Sequence, residues 1–327
     1  MHEFIIEKND AGQRLDKFIT KAIDIPPSLL YKSIRLKKIK VNRKRAQNDT
    51  VLSVGDTVQC FLADDFFTKK TDSSSLGSIT PHLSVIYEDE NIMLLNKRPG
   101  VSVHEDDKQS TSTLITHVQA YLYQNGEYSP DSEQSFAPAL CNRIDRNTGG
   151  IVIAAKNAEA LRVMNEKIKE RQIEKFYLAA VHGFPEKKSD TLHGYLIKDE
   201  KTNTVKVYGK NPPKNAKEIA TRYKVIAKNA NSSLLEVELL TGRTHQIRAH
   251  MAFIGHPLLG DGKYGINKED KKSGYKYQAL YSYKLVFSFK TDPEAPTVLD
   301  YLNGKSFSVS KNDIYFTKDY FPTNKCE

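Results

Sequence analysis

Apolar positions recur along this chain with two different periods, and the change of period marks out its elements. Leu15, Phe18, Ile19 and Ala22 repeat at helical spacing and give one apolar face. Pro26 and Pro27 end that helix and begin another, with Leu30 and Ile34 turned inward. Residues 39–42 read as a short strand, and VGDTV at 54–58 as a turn into a further one. Residues 83–87 and 92–95 flank the polar turn EDEN, which predicts a hairpin. The run Ile151 to Ala155 is short, rich in β-branched residues and preceded by Gly149 and Gly150, so it predicts a buried strand. A helix is predicted from Ala158, with Asn157 as N-cap and Leu161, Met164 and Ile168 on one face. Strands are expected at 176–181, 221–226, 234–240 and 284–289. Ile247, Met251 and Ile254 place a helix from about Thr244. Mixed strands with few helices argue for an α+β fold rather than βαβ repeats.

Residues 64–81 interrupt this patterning with a polar stretch rich in Ser and Thr that also carries Gly and Pro, which marks a linker. Phe66 and Phe67 are unusual in a free linker and are expected to dock on a neighbouring domain. The expected organisation is a small α/β module at 1–62, a linker at 63–82, a large α+β domain at 83–320 and a tail at 321–327. In the large domain the sheet is expected to be mixed, largely antiparallel and flanked by helices.

At 327 residues the chain is long enough for two such units, and 39% hydrophobic against 27% charged residues suits a globular protein. No apolar run is long enough to span a bilayer, and the N-terminus lacks the pattern of a secretory signal. Cys60, Cys141 and Cys326 are few, odd in number and widely spaced, which fits neither a disulfide framework nor a zinc site and suggests a reducing, cytoplasmic setting. The formal net charge of +9 suits a polyanionic partner. It is unevenly spread: residues 1–62 hold twelve Lys or Arg against seven Asp or Glu. Lys32, Arg35, Lys37, Lys38, Lys40, Arg43, Lys44 and Arg45 fall in one stretch with no acid. A run of charge is often just a solvated face. On a helix–turn–strand unit with a small core, it is also the pattern of a surface that lies on phosphates.

The candidate chemistry centres on LCNRIDRNTGGIVIAAK at 140–156. Asp145 stands between Arg143 and Arg146 in a polar turn gripped by the predicted buried strand. Alone, such an Asp reads as a turn former with surface ion pairs. A carboxylate held beside guanidinium groups can also act as a nucleophile or stabilise a nearby cation. A second segment, TGRTHQIRAHM at 241–251, supplies a possible partner: Arg248, half-buried on its helix, could fix a carboxylate from another loop by bidentate bonds. His245 and His250 read as structural histidines, since no carboxylate or cysteine stands at metal-ligand spacing from them. Tyr177, at the start of a strand, is either a core aromatic or a platform for a flipped base.

In its ordered segments the chain resembles the RluA-type pseudouridine synthases: YEDENIMLLNKRPG at 87–100, NRIDRNTGG at 142–150, EKFYLA at 174–179, TGRTHQIRAH at 241–250 and GHPLLGDGKYG at 255–265. The N-terminal module resembles the alpha-L (S-four-type) RNA-binding domain through RLDKFI at 14–19, IRLKKIKVN at 34–42 and VGDTV at 54–58. The resemblance implies that residues 83–320 form a catalytic domain that isomerises uridine in RNA to pseudouridine without metal or nucleotide cofactor. It implies Asp145 as catalytic aspartate, Tyr177 as the tyrosine that contacts the target base, Arg248 as the arginine paired with the aspartate, and Arg143 as an arginine that helps displace the flipped nucleotide. Two positions depart from the family pattern, which usually has His at Asn142 and commonly Ser at Gly149. The expected partner is RNA, with large-subunit ribosomal RNA favoured over tRNA, and the expected state is a monomer. The rival readings are a non-catalytic RNA-binding or ribosome-assembly protein, and a base-releasing glycosylase or nuclease; glycoside hydrolysis normally uses two carboxylates.

Overall fold

The computed structural model describes residues 1–67, 73–103, 112–265 and 267–321. Part of the expected linker (68–72), nearly all of the expected tail and Cys326 lie outside the described residues.

Two separate sheets account for the strands among the described residues. The first is four-stranded and antiparallel, in the order His2–Ile5, Thr57–Cys60, Ile39–Val41, Lys44–Arg45. The helices Leu15–Ala22 and Pro27–Arg35 close it into a core of its own around Phe18, Ile19, Leu30, Ile34 and Val58. Phe66 and Phe67 join that core, and Phe67 stacks on His2 with ring centroids 3.7 Å apart. Beyond the undescribed stretch the expected linker contains a helix, Ser73–Ser78, rather than extended chain. Leu76 of that helix is buried, and Gln124 Nε2 donates to the Ile79 carbonyl at 2.7 Å. One apolar residue in a serine-rich stretch is too weak a signal to announce a docked helix.

Polar contacts tie the small unit to the large one. Asp10, 1% exposed, accepts from Ser135 Oγ at 2.6 Å and Gln134 Nε2 at 2.9 Å. Arg162 Nη1 donates to the Ala11 carbonyl at 2.8 Å.

The second sheet has eleven strands. Its main path runs Thr204–Tyr208, Ser189–Asp199, Lys217–Lys228, Ser232–Leu239, Ile173–His182, Leu280–Phe287, Gly149–Ala155, Ile92–Lys97, Val85–Glu88. Every pairing is antiparallel except Leu280–Phe287 with Gly149–Ala155. The fold is therefore α+β with a mixed, largely antiparallel sheet, as the patterning predicts. All seven residues of Gly149–Ala155 are buried because both faces of this strand are covered. Ile151, Ile153 and Ala155 enter one apolar cluster, with Met164, Leu285 and Phe287. Val152 and Ala154 enter another, with Val118, Tyr177, Ile247 and Met251. That double burial explains an unbroken apolar run where a half-exposed strand would alternate. Gly150 is required here: at φ +119° it lies against Ser282, whose carbonyl oxygen would be 2.2 Å from any Cβ.

The helix Ala158–Lys169 begins at its expected cap, Asn157 Oδ1 accepting from Ala160 N at 2.8 Å. No helix among the described residues is long and apolar enough to cross a membrane.

Candidate active site

The turn that carries Asp145 is clamped from three sides. Asn142 Oδ1 accepts from Ile153 N at 2.7 Å and its amide donates to the Ile151 carbonyl at 3.4 Å, which locks the entry of the turn to the buried strand. Thr148 N donates to the Asp145 carbonyl at 3.0 Å and closes the turn. On the third side Lys97, 2% exposed, donates to the carbonyls of Arg98 at 3.1 Å, Val101 at 2.9 Å and Arg146 at 2.9 Å. One buried ammonium with three carbonyl acceptors thus ties the turn after the hairpin to the residue following Asp145. Burial pushes the Lys97 amine down to about 7, and the nearby charge of Asp145 opposes that shift. Gly149 packs beneath the turn against the Tyr281 ring, which a Cβ would meet at 2.4 Å.

Arg248 comes to this turn from the helix Gln246–Phe253. The helix starts two residues later than its periodicity suggests, because His245 adopts a left-handed conformation (φ 53°) and ends the preceding turn. Gln246 anchors its first turn. Its Oε1 accepts from Thr241 Oγ1 at 2.9 Å and Arg243 N at 3.1 Å, and its amide donates to Thr221 Oγ1 at 3.0 Å. Arg248 Nη1 then donates to Asp145 Oδ2 at 2.7 Å.

Arg248 is 5% exposed, not half-buried as the sequence suggests, and it serves two carboxylates. Its Nε and Nη2 donate to Asp261 Oδ2 and Oδ1 at 2.7 and 2.8 Å. Asp261 is fully buried and also accepts from the backbone N–H of Lys263 at 2.9 Å and Tyr264 at 3.2 Å. Burial works against a charged Asp261, but these bonds, the arginine first among them, hold its carboxyl below the usual carboxylate range. Burial likewise opposes the Arg248 charge, and Asp261 and Asp145 outweigh it, so the guanidinium stays charged. Its Cζ lies over the Tyr264 ring, 5.2 Å from the centroid.

Of the residues singled out in the sequence, Asp145, Arg248 and Tyr177 are brought together. The Asp145 side chain remains 25% exposed. Tyr177 is 6% exposed, in the apolar cluster that also holds Ile144 and Ile247, so little of its ring is open as a platform. Burial, and then the charge of Asp145, pushes its hydroxyl up to about 12, so it keeps its proton. Arg143 is exposed beside the turn with no partner among the described residues. His250 is buried, with Nδ1 3.0 Å from Thr221 Oγ1, and burial pushes it down to about 4, which suits the structural part expected of it. His245, also read as structural, sits at the same site, with its Nε2 3.7 Å from Asp145 Oδ2. Asp261 and Tyr264 went unrecognised in the sequence. The only trace of them is the GDGKYG stretch, where an Asp between glycines reads as a turn. Among the described residues no cluster of three or more His, Cys, Asp or Glu could hold a metal ion.

The basic stretch of the small unit stands apart from this site. Lys32, Arg35, Lys37, Lys38, Arg43, Lys44 and Arg45 are exposed on the helix Pro27–Arg35 and on the turns and strand after it. Lys40 is half-buried, with its Nζ 5.3 Å from the Phe61 ring centroid. Tyr31, Lys32, Arg35 and Arg45 line an open groove of about 520 Å³.

A family model described as RNA pseudouridylate synthase matches residues 91–253. That range contains Asp145, Tyr177 and Arg248 but not Asp261. An uncharacterized RNA pseudouridine synthase of Mycoplasma genitalium is 34% identical over 308 residues, which cover 92% of this chain and 93% of that protein. The ribosomal large subunit pseudouridine synthase C of Vibrio parahaemolyticus is 33% identical over 276 residues, 82% of each. Among solved structures, human RNA Pseudouridylate Synthase Domain Containing 4 matches with a TM-score of 0.54 at 20% identity, over 69% of this chain and 88% of that one. That likeness is one of fold.

Proposed function

The chain belongs to the RNA pseudouridylate synthase family, its activity is that of an isomerase, and we propose that it converts specific uridines of large-subunit ribosomal RNA to pseudouridine with Asp145 as the catalytic carboxylate. The observation that carries the residue assignment is the 2.7 Å bond between Arg248 and Asp145, made by a buried arginine to a carboxylate that stays partly exposed. The preference for ribosomal RNA over tRNA rests on the names of relatives, several of which are ribosomal large subunit pseudouridine synthase C.

The isomerisation breaks the bond between ribose C1′ and uracil N1, turns the base, and joins C1′ to C5. The proton on C5 is lost and N1 gains one, so the product is an isomer of the substrate. Bond breaking leaves positive character on the sugar, which a single carboxylate can stabilise. Asp145 can do so by adding to C1′ and leaving again as C5 joins it, or by taking a proton from C2′ and returning it at that step, and both routes need it charged and aimed. Arg248 does the aiming. In this reading the small open edge of Tyr177 contacts the target base, and Arg143, exposed beside the turn, helps displace the everted nucleotide, which must leave its stack to be reached.

The small unit at 1–62, in this reading an RNA-binding domain of the alpha-L type, supplies affinity through Lys32, Arg35 and their neighbours. Each phosphate contact releases counterions, so losing two should make the salt dependence shallower by about 0.7–0.9 per contact in log Kd against log salt. Lys32→Gln with Arg35→Gln is therefore expected to weaken binding to structured RNA and flatten that slope. A parallel line, displaced or not, removes these two residues from the interface.

The test of substrate is direct. Purified protein is incubated with ribosomal RNA and tRNA from cells lacking the gene, and pseudouridine is mapped chemically. New pseudouridine at one or a few large-subunit positions supports the reading. Modification of tRNA alone replaces the proposed substrate, and free uracil or cleaved RNA replaces the reaction.

A further inference from the structure

We propose that His245 is a positioning residue, fixed by Tyr264 as the tautomer whose Nε2–H faces Asp145, so that Oδ2 is the held oxygen of Asp145 and Oδ1 the one presented to the ribose. This deepens, and rests on, the reading of Asp145 as the catalytic carboxylate.

The tautomer follows from counting donors. Tyr264 Oη lies 2.8 Å from Val205 N, which can only donate, and 2.9 Å from His245 Nδ1. These are its two hydrogen-bond partners among the described residues. Burial is the main influence keeping the hydroxyl protonated, so it has one proton to place. If Nδ1 also carried a proton, the oxygen would face two donors while its own proton had no acceptor. With Nδ1 bare, every group is satisfied: Val205 N donates to Oη, and Oη–H donates to Nδ1. The neutral imidazole then holds its proton on Nε2, 3.7 Å from Asp145 Oδ2. The other tautomer would turn a lone pair toward a carboxylate.

At 3.7 Å this is a charge–dipole contact rather than a hydrogen bond, and a small turn of either side chain on RNA binding would close it. Arg248 Nη1 already bonds the same oxygen at 2.7 Å. Oδ1 accepts no hydrogen bond among the described residues. Two groups therefore fix one oxygen and leave the other free. The chain of contacts begins at the edge strand Thr204–Tyr208, which carries Val205 and, among the described residues, pairs on one side only, with Ser189–Asp199. The charged and titratable groups facing the imidazole are Asp145, Arg248, Lys263, Asp261 and Tyr264. Burial is the largest influence and holds the imidazole below the usual histidine range. Asp145 and Asp261 pull against it, while Arg248 and Lys263 reinforce it.

The first test needs no activity. In the 15N-labelled full-length protein, the imidazole signals of His245 are assigned by their loss in His245→Gln, and the two ring nitrogens report the tautomer. The proton is expected on Nε2. In Tyr264→Phe, Nδ1 is free to take a proton, and His245 should titrate at higher pH. A wild-type imidazole protonated on Nδ1, or a titration unmoved by Tyr264→Phe, overturns the proposal.

The second test uses single-turnover pseudouridine formation on large-subunit ribosomal RNA. His245→Leu is expected to slow the reaction about tenfold to a hundredfold, the range for losing one donor to a charged group, with RNA affinity unchanged. His245→Gln, whose amide can donate near the Nε2 position, should recover most of that loss. Equal losses in both variants would mean that only packing was disturbed and would overturn the positioning role. Activity retained by Asp145→Asn would instead defeat the underlying reading, whatever the tautomer.

Discussion

Asp261→Asn is expected to cost as much as any single change near the site, although in the proposed mechanism Asp261 touches no substrate. Its carboxylate takes two of the three donors that Arg248 uses and sits at 0% exposure. Removing one partner of a buried pair leaves the other charge uncompensated, at about 3–5 kcal/mol. Equilibrium unfolding in urea should show a loss of that order, with the slope unchanged. The rate should fall too, because a guanidinium freed from Asp261 no longer has a fixed direction toward Asp145. Misplacement by about 1 Å can cost roughly a hundredfold. The double variant Asp261→Leu with Arg248→Met separates the two effects. An apolar pair of similar volume should recover much of the stability and none of the activity. If Asp261→Asn is as stable and as fast as wild type, the arginine does not depend on its second carboxylate.

Lys97→Met should produce the second large effect, through the opposite kind of site. Among the described residues Lys97 pairs with no carboxylate, and its three bonds go to backbone carbonyls. Methionine fills a similar space without a donor and leaves those acceptors unpaired, at about 1–3 kcal/mol for each one that water cannot reach. Urea unfolding is expected to show a loss of at least about 2 kcal/mol at neutral pH. The pH dependence carries a separate signature. The folded-state value of about 7 lies below the roughly 10.4 of an unfolded lysine. Between those values the unfolded chain binds more protons, so Lys97 makes stability rise with pH across that window and contributes no slope below it. The difference in stability between wild type and Lys97→Met should therefore widen from pH 7 to pH 10. A constant difference would mean that Lys97 titrates as it does in the unfolded chain.

Much of the scaffold was readable in the amino-acid order, for identifiable reasons. The run Ile151–Ala155, the hairpin before it and the helix capped by Asn157 are set by local patterning and capping, and each appears where that chemistry places it. The proposed site was readable in part. Asp145 and Arg248 stood out as a carboxylate and an arginine wanting partners, but their meeting spans 103 residues and depends on where the sheet sets their two loops. Asp261 escaped because an Asp between glycines reads as a turn former, and only the buried arginine shows its second use. The part proposed for His245 had no sequence signal, because histidines in a helical pattern are commonly structural. Its left-handed backbone leaves no mark in the periodicity. The serine-rich segment at 73–78 hid a helix because one leucine supplies its burial.

The most direct measurement is chemical pseudouridine mapping of ribosomal RNA in cells lacking the gene, complemented with wild type or with Asp145→Asn at matched protein levels. Wild type should restore every lost large-subunit pseudouridine, and Asp145→Asn, correctly folded and still binding the RNA, should restore none. Full restoration by Asp145→Asn would contradict the assignment of the chemistry to that carboxylate.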